Sequence, residues 1–205
     1  MSPTVYAPSH HGETTRQWPI EDHRGLYAMY TVIATELSLF ICLFASYYYL
    51  GNNKDRWAID RPPKLHFALI MLAVLLSSSA VLRWGELQVK RARYRSARIA
   101  ISLTVAIGLV FLLLQGFEYK EHWKTLTPWS DSYGSIFYVI TSFHAAHVVM
   151  GILLLAYVAV LPQYGPTVAP PYRPYQTVAL YWHFVDLVWI FIVALLYVVP
   201  NMQAH

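Results

Sequence analysis

Five apolar stretches, each long enough to cross a lipid bilayer, constrain this chain more than any other feature. They cover 26–50, 65–82, 99–119, 133–161 and 176–199. A helix rises 1.5 Å per residue, so about 18–20 residues cross the roughly 30 Å of hydrocarbon. A spanning β-barrel would need stretches of about ten residues with strict alternation, and the sequence has none. A helix satisfies its own backbone polar groups and can therefore stand in lipid. The sequence predicts an all-α integral membrane protein, a bundle of five transmembrane helices at about 26–50, 65–89, 99–121, 133–161 and 176–199. Residues 1–25 read as a polar N-terminal segment and 201–205 as a short C-terminal tail, with 26–200 as the transmembrane domain.

Composition enters as support. Charged residues make up 13% of the chain and hydrophobic ones 57%, whereas a soluble domain carries about 25% charge. The pI near 9.1 points to anionic lipid headgroups rather than nucleic acid. Cys42 is the single cysteine, which excludes a disulfide within the chain and a zinc ribbon. Inside an apolar run it reads as a small buried hydrophobe. Residues 1–25 hold His10, His11, Glu13, Arg16, Glu21 and Asp22 without an apolar core. They do not resemble a signal peptide, so insertion is expected to be directed by the later segments.

The connections read as breaks: Gly51-Asn52-Asn53, Pro62-Pro63, Pro128, the prolines from Pro162 to Pro174, and Pro200 as the stop of the fifth helix. Orientation follows from Lys and Arg. With the N-terminus inside, the inner side carries Arg16, Arg24, Arg83, Lys90, Arg91, Arg93, Arg95, Arg98 and Arg173. The outer side carries Lys54, Arg56, Arg61, Lys64, Lys120 and Lys124. Nine against six favours N-terminus inside and C-terminus outside. The block at 90–98 reads first as a topology determinant, and Arg83, Arg91, Arg93 and Arg95 also as contacts for lipid headgroups. Tyr47, Tyr48, Tyr49, Trp57, Trp84, Trp123 and Trp129 crowd the segment ends as an interfacial belt.

Ionisable groups within a spanning helix cost about 2.5–3.5 kcal/mol each on insertion scales, so each needs a reason. The candidates are Glu36, His144 with His147, Glu118, and His183 with Asp186. Glu36 lies ten residues into its helix and His147 fourteen into a long one, at compatible depths. The two are therefore expected to pair. Glu118 is expected near the outer surface, within reach of water. A two-metal site built from His144, His147, His183 and Asp186, a haem held by His147 and His183, and a proton path through Glu36, His147 and Asp186 are alternatives. The usual bundle signature for metals is Glu-x-x-His, which this sequence lacks. The favoured reading is that these groups pair with one another and with hydroxyls, fixing helix packing.

Four motifs then carry a resemblance. Ser142-Phe143-His144-Ala145-Ala146-His147-Val148, after Gly134-Ser135-Ile136-Phe137-Tyr138, resembles a "G-F-H-G-L-H-V" phrase. Tyr181-Trp182-His183-Phe184-Val185-Asp186-Leu187-Val188-Trp189 is similar to "Y-W-H-F-V-D-V-V-W" almost residue for residue. Ala34-Thr35-Glu36-Leu37 and Gln115-Gly116-Phe117-Glu118-Tyr119 match two further phrases. All four resemble subunit III of the haem-copper terminal oxidases, in family order and in the short five-helix prokaryotic form. The glycine of "H-G-L-H" is Ala145 here.

The resemblance implies a non-redox accessory subunit of a respiratory oxidase that reduces O2 to water, with cytochrome c as donor. It implies no cofactor in this chain, haem and copper in partner subunits, and bound phospholipid. The expected partners are the catalytic subunit I, subunit II and other respiratory subunits. The expected place is the prokaryotic cell (inner) membrane. The chain counts as an enzyme only through its complex. A quinol oxidase or nitric-oxide reductase would use a similar subunit. From other classes, a free-standing transporter and a di-metal membrane enzyme compete. No repeat or Gly/Pro-interrupted span supports the transporter.

Overall fold

A computed structural model describes residues 24–52, 64–123, 127–129, 131–160 and 172–203. The N-terminal segment and the cations Lys54, Arg56, Arg61 and Lys124 lie outside the described residues, as do Trp57 and the prolines at 62–63 and 162–171. The described residues form five long helices: α1 (Arg24–Gly51), α2 (Leu65–Lys90), α3 (Tyr94–His122), α4 (Ser132–Val160) and α5 (Tyr172–Val193). A π-helical turn (Ala194–Val198) and a last helical turn, α6 (Val199–Gln203), continue α5. All five spans are long and apolar enough to cross a membrane. No strand occurs among the described residues.

Spans consecutive in sequence run in opposite directions, so α1, α3 and α5 are parallel to one another. The starts of α1 and α5 meet at Gly25 and Thr177. The start of α2 pairs with the end of α3 through Lys64 and Glu121. Helix α5 is the central post, packed on α1, α2 and α4, while α3 closes the ring between α2 and α4. Burial follows this order: 56% of the α5 span is buried inside the bundle, against 6% for α1. Helix α1 leans on α4 and α5 and leaves most of its surface outward. Cys42 lies on that outward face, not in the core.

The core face of α5 repeats large residues at helical spacing: Trp182, Trp189, Leu196 and Tyr197 are fully buried. Trp182 fits because two facing helices carry glycine. A Cβ on Gly108 of α3 or on Gly151 of α4 would stand 2.8 Å from its indole carbons. Its Nε1 donates to Ser78 Oγ of α2 at 2.9 Å. Ser78 and Ser79 form a polar seam from α2 toward α5, while Ser77 faces outward, and small side chains permit that approach.

Helix ends differ from the sequence reading in three places, one being α5, which begins at Tyr172 rather than 176 with Pro174 in its first turn. Helix α3 begins at Tyr94 rather than near 99, so only Arg91, Ala92 and Arg93 connect it to α2. Ala92 takes a positive φ of 56° to make the turn, a conformation costly for a residue with a Cβ. Pro200 does not stop the fifth helix. It lies inside α6, two residues past the π turn.

The physical reason is the N–H that proline lacks. Val199 N–H bonds to Ala194 O, five residues back. In that register the Leu195 carbonyl would take the N–H of residue 200, and in α register the Leu196 carbonyl would. Neither can. Tyr47 of α1 donates to Leu195 O at 2.9 Å, and Tyr133 of α4 donates to Leu196 O at 2.8 Å. Tyr47 is thus 5% exposed and works as a cap rather than as a member of the interfacial belt. Tyr48 and Tyr49 beside it do face outward.

Candidate functional site: polar groups inside the bundle

The ionisable residues singled out in the sequence fall into three separate clusters. The first joins α1 to α4. His147 Nε2 lies 2.8 Å from Glu36 Oε2, and His147 Nδ1 lies 2.6 Å from the Phe143 carbonyl one turn back. A carbonyl only accepts, so Nδ1 carries a hydrogen. That leaves a single proton between Nε2 and the carboxyl, and the contact is a hydrogen bond whichever atom holds it. Phe40 stacks obliquely on the imidazole, with ring centroids 5.1 Å apart.

The second cluster joins α2 to α5. Ser79 Oγ donates to Asp186 Oδ2 and lies 2.7 Å from His183 Nδ1. With the serine proton aimed at the carboxylate, His183 Nδ1–H donates to the serine oxygen. Asp186 is 4% exposed, while His183 is half-buried. Sequence reasoning named His183 and Asp186 but missed Ser79. The signal was the Ser77–Ser78–Ser79 run on an otherwise apolar helix.

The third cluster joins α3 to the π turn. Glu118 accepts from Tyr197 at 2.9 Å and from Gln115 Nε2 at 3.0 Å. It is 1% exposed, which overturns the expectation of a hydrated residue near the surface. Two donors and the aromatic floor of Phe137 and Tyr197 replace water there. The next residue of α3, Tyr119, donates to Thr141 of α4 at 2.8 Å.

His144 belongs to none of the three. It is fully buried, stacked on Trp189 with centroids 4.8 Å apart and set edge-on to Phe111. Although His144 and His147 lie three residues apart, one faces α3 and α5 and the other faces α1. The histidines thus diverge: His147 toward α1, His144 into the core, His183 toward α2. Among the described residues no three His, Cys, Asp or Glu side chains gather as metal ligands would. His144, His147 and His183 are therefore not brought together as the ligand sets considered above would require.

At the end of the bundle where α1 begins, Arg91, Arg93 and Arg95 are exposed, and Arg83 pairs with the buried Glu86, which Lys90 also approaches at 3.9 Å. The same end holds a cleft of about 320 Å³ between α1, α4 and α5. Leu26, Met29, Leu154, Tyr157 and Val178 give it apolar walls.

Five spanning helices tied by buried hydrogen-bonded pairs define a multi-pass helical membrane protein built for packing within a bilayer. Comparison with known proteins makes this specific. The family model for cytochrome c oxidase subunit III matches residues 11–200. A cytochrome c oxidase subunit 3 of Corynebacterium diphtheriae is 35% identical over 168 residues, covering 77% of this chain and 80% of that protein. Proteins of the same name from Myxine glutinosa and Oncorhynchus clarkii are each 30% identical, covering 83% and 85% of this chain and 68% and 69% of their own length. The chain belongs to the cytochrome c oxidase subunit III family.

Proposed function

We propose that this chain is the non-redox accessory subunit III of a haem-copper respiratory oxidase, which reduces O2 to water with electrons from cytochrome c. Family membership over nearly the whole chain carries the reading. The haem and copper belong to the partner subunits, with the catalytic subunit I and subunit II as neighbours. The complex is the enzyme, and this chain stabilises it, binds phospholipid and supports proton uptake. The arrangement of the histidines supports a packing role: each is committed to a hydrogen bond or a ring stack with a different helix.

In this reading Glu36 and His147 tie α1 to α4, and Glu118, His144, His183 and Asp186 set the helix register. The N-terminus and the basic block lie on the cytoplasmic side of a prokaryotic inner membrane, as the charge asymmetry favours. Arg83, Arg91, Arg93 and Arg95 meet lipid phosphates there. The apolar cleft at that end takes an acyl chain.

The test is isolation of the complex through an affinity tag on this chain. The expected eluate shows haem absorption and consumes O2 with reduced cytochrome c. Activity with quinol alone would move the chain to a quinol oxidase. Recovery of the chain by itself, without haem, would sink the accessory-subunit reading.

A further inference from the structure

Five buried side-chain atoms on four residues of the bundle interior have no hydrogen-bond partner in the protein. They are His144 Nδ1 and Nε2, Trp189 Nε1, Asp186 Oδ1 and Gln115 Oε1. Their residues are 0, 0, 4 and 2% exposed. Trp189 stacks on His144, and Phe111 touches both rings. Gln115 lies one turn beyond Phe111 on α3, and Asp186 one turn before Trp189 on α5, so both pairs share a helix face. Beyond Gln115 comes Glu118, which Gln115 and Tyr197 hold. The unpartnered atoms therefore mark successive turns along α3 and α5, from Asp186, whose other oxygen meets Ser79 of α2, past His144 and Trp189 to Gln115. From Asp186 to Tyr197 is eleven residues, about 16 Å of helix rise.

A histidine always carries at least one N–H, and an indole always carries one. In stable interiors the large majority of buried polar groups without protein partners are met by buried water making two to four bonds. Donors and acceptors are both present: Trp189 Nε1–H and one imidazole N–H donate, while the other imidazole nitrogen, Asp186 Oδ1 and Gln115 Oε1 accept. Trp182 is the contrasting case. It is as buried as Trp189 on the same helix face, yet its Nε1 is satisfied by Ser78.

We propose that ordered water binds at His144 and Trp189 and extends along this seam, so that a hydrated column joins the Asp186 carboxyl to the Gln115–Glu118–Tyr197 group. Hydrogen-bond connectivity then runs inside the bundle between two carboxyls that protein atoms alone leave apart. At its inner end Ser79 and His183 continue it toward the α2 surface.

X-ray hydroxyl-radical footprinting of the purified oxidase complex in 18O-labelled water tests this, because brief radiolysis of bound water oxidises the side chains beside it. Trp189 is expected to take up label several-fold above Trp182. Equal labelling of the two, at any level, would overturn the proposal. The variant His144→Phe keeps the ring stack and removes both nitrogens. Its Trp189 labelling is expected to fall to the Trp182 level, and the thermal midpoint of the complex to drop. A midpoint at or above wild type would show that His144 stood dry and would also overturn the proposal. Should the variant fail to assemble, the wild-type contrast between the two tryptophans still decides.

Discussion

At the scale of single residues, Glu36 and His147 show how far a count along the chain reaches. Each sits on a continuous helix, so residue number converts to depth, and the structure has their side chains 2.8 Å apart. Interhelical polar bonds average about 0.6 kcal/mol and reach about 1.7, so the pair specifies packing more than it stabilises. Glu36→Gln keeps a hydrogen-bonding group facing Nε2. It is expected to leave assembly intact and to change turnover only slightly. Glu36→Ala strands the imidazole nitrogen, which costs about 1–3 kcal/mol, and is expected to lower the thermal midpoint of the complex. Abolished proton pumping in a normally assembled Glu36→Gln complex would restore the proton-path reading. Glu118 was not legible in the same way. Its position near a helix end suggests water, and only the partner Tyr197, 79 residues away, shows that it is buried. Nor could the sequence show that His144 and His147 point to different helices, because three residues of helix turn the chain by about 300° without saying what stands opposite.

At the scale of elements, the five spans were readable because hydrocarbon thickness sets their length, while the end of α5 was not. Proline near a helix end usually reads as a stop. Here neighbouring helices supply what its missing N–H takes away, a compensation that membrane helices commonly use. Tyr133 and Tyr47 come from α4 and α1, and nothing local to residues 194–200 announces them. The account makes a coupled expectation. Tyr133→Phe leaves the Leu196 carbonyl without its hydroxyl and should destabilise the complex by about 1–3 kcal/mol. Pro200→Ala supplies a backbone N–H that can reach the same carbonyl in α register. In that background Tyr133→Phe should cost much less, and the difference is the interaction energy of a double-mutant cycle on thermal unfolding. Additive losses would separate the tyrosine from the proline and leave the π turn without this explanation.

At the scale of the whole molecule, the bundle is asymmetric end to end. One end gathers three buried tyrosine hydrogen bonds, Tyr47 and Tyr133 to the Leu195 and Leu196 carbonyls and Tyr197 to Glu118. The other carries exposed Arg91, Arg93 and Arg95 and, among the described residues, the apolar cleft walled by Leu26, Met29, Leu154 and Val178. Near an anionic surface each Lys or Arg contributes about 1 kcal/mol. Replacing Arg91, Arg93 and Arg95 together by Gln therefore removes roughly 3 kcal/mol of attraction, on the order of a hundredfold in lipid affinity. The bundle itself should survive, because these side chains face away from the core. The complex purified with the triple variant is expected to retain less anionic phospholipid per haem, measured by mass spectrometry of extracted lipid, with zwitterionic lipid unchanged. Arg83, Lys90 and Arg98 remain to direct insertion, so reporter fusions should give the wild-type orientation. Unchanged anionic lipid would leave the basic block with its topological role alone. An inverted reporter pattern would show that the three arginines, rather than the whole set of cations at that end, fix how the chain enters the membrane.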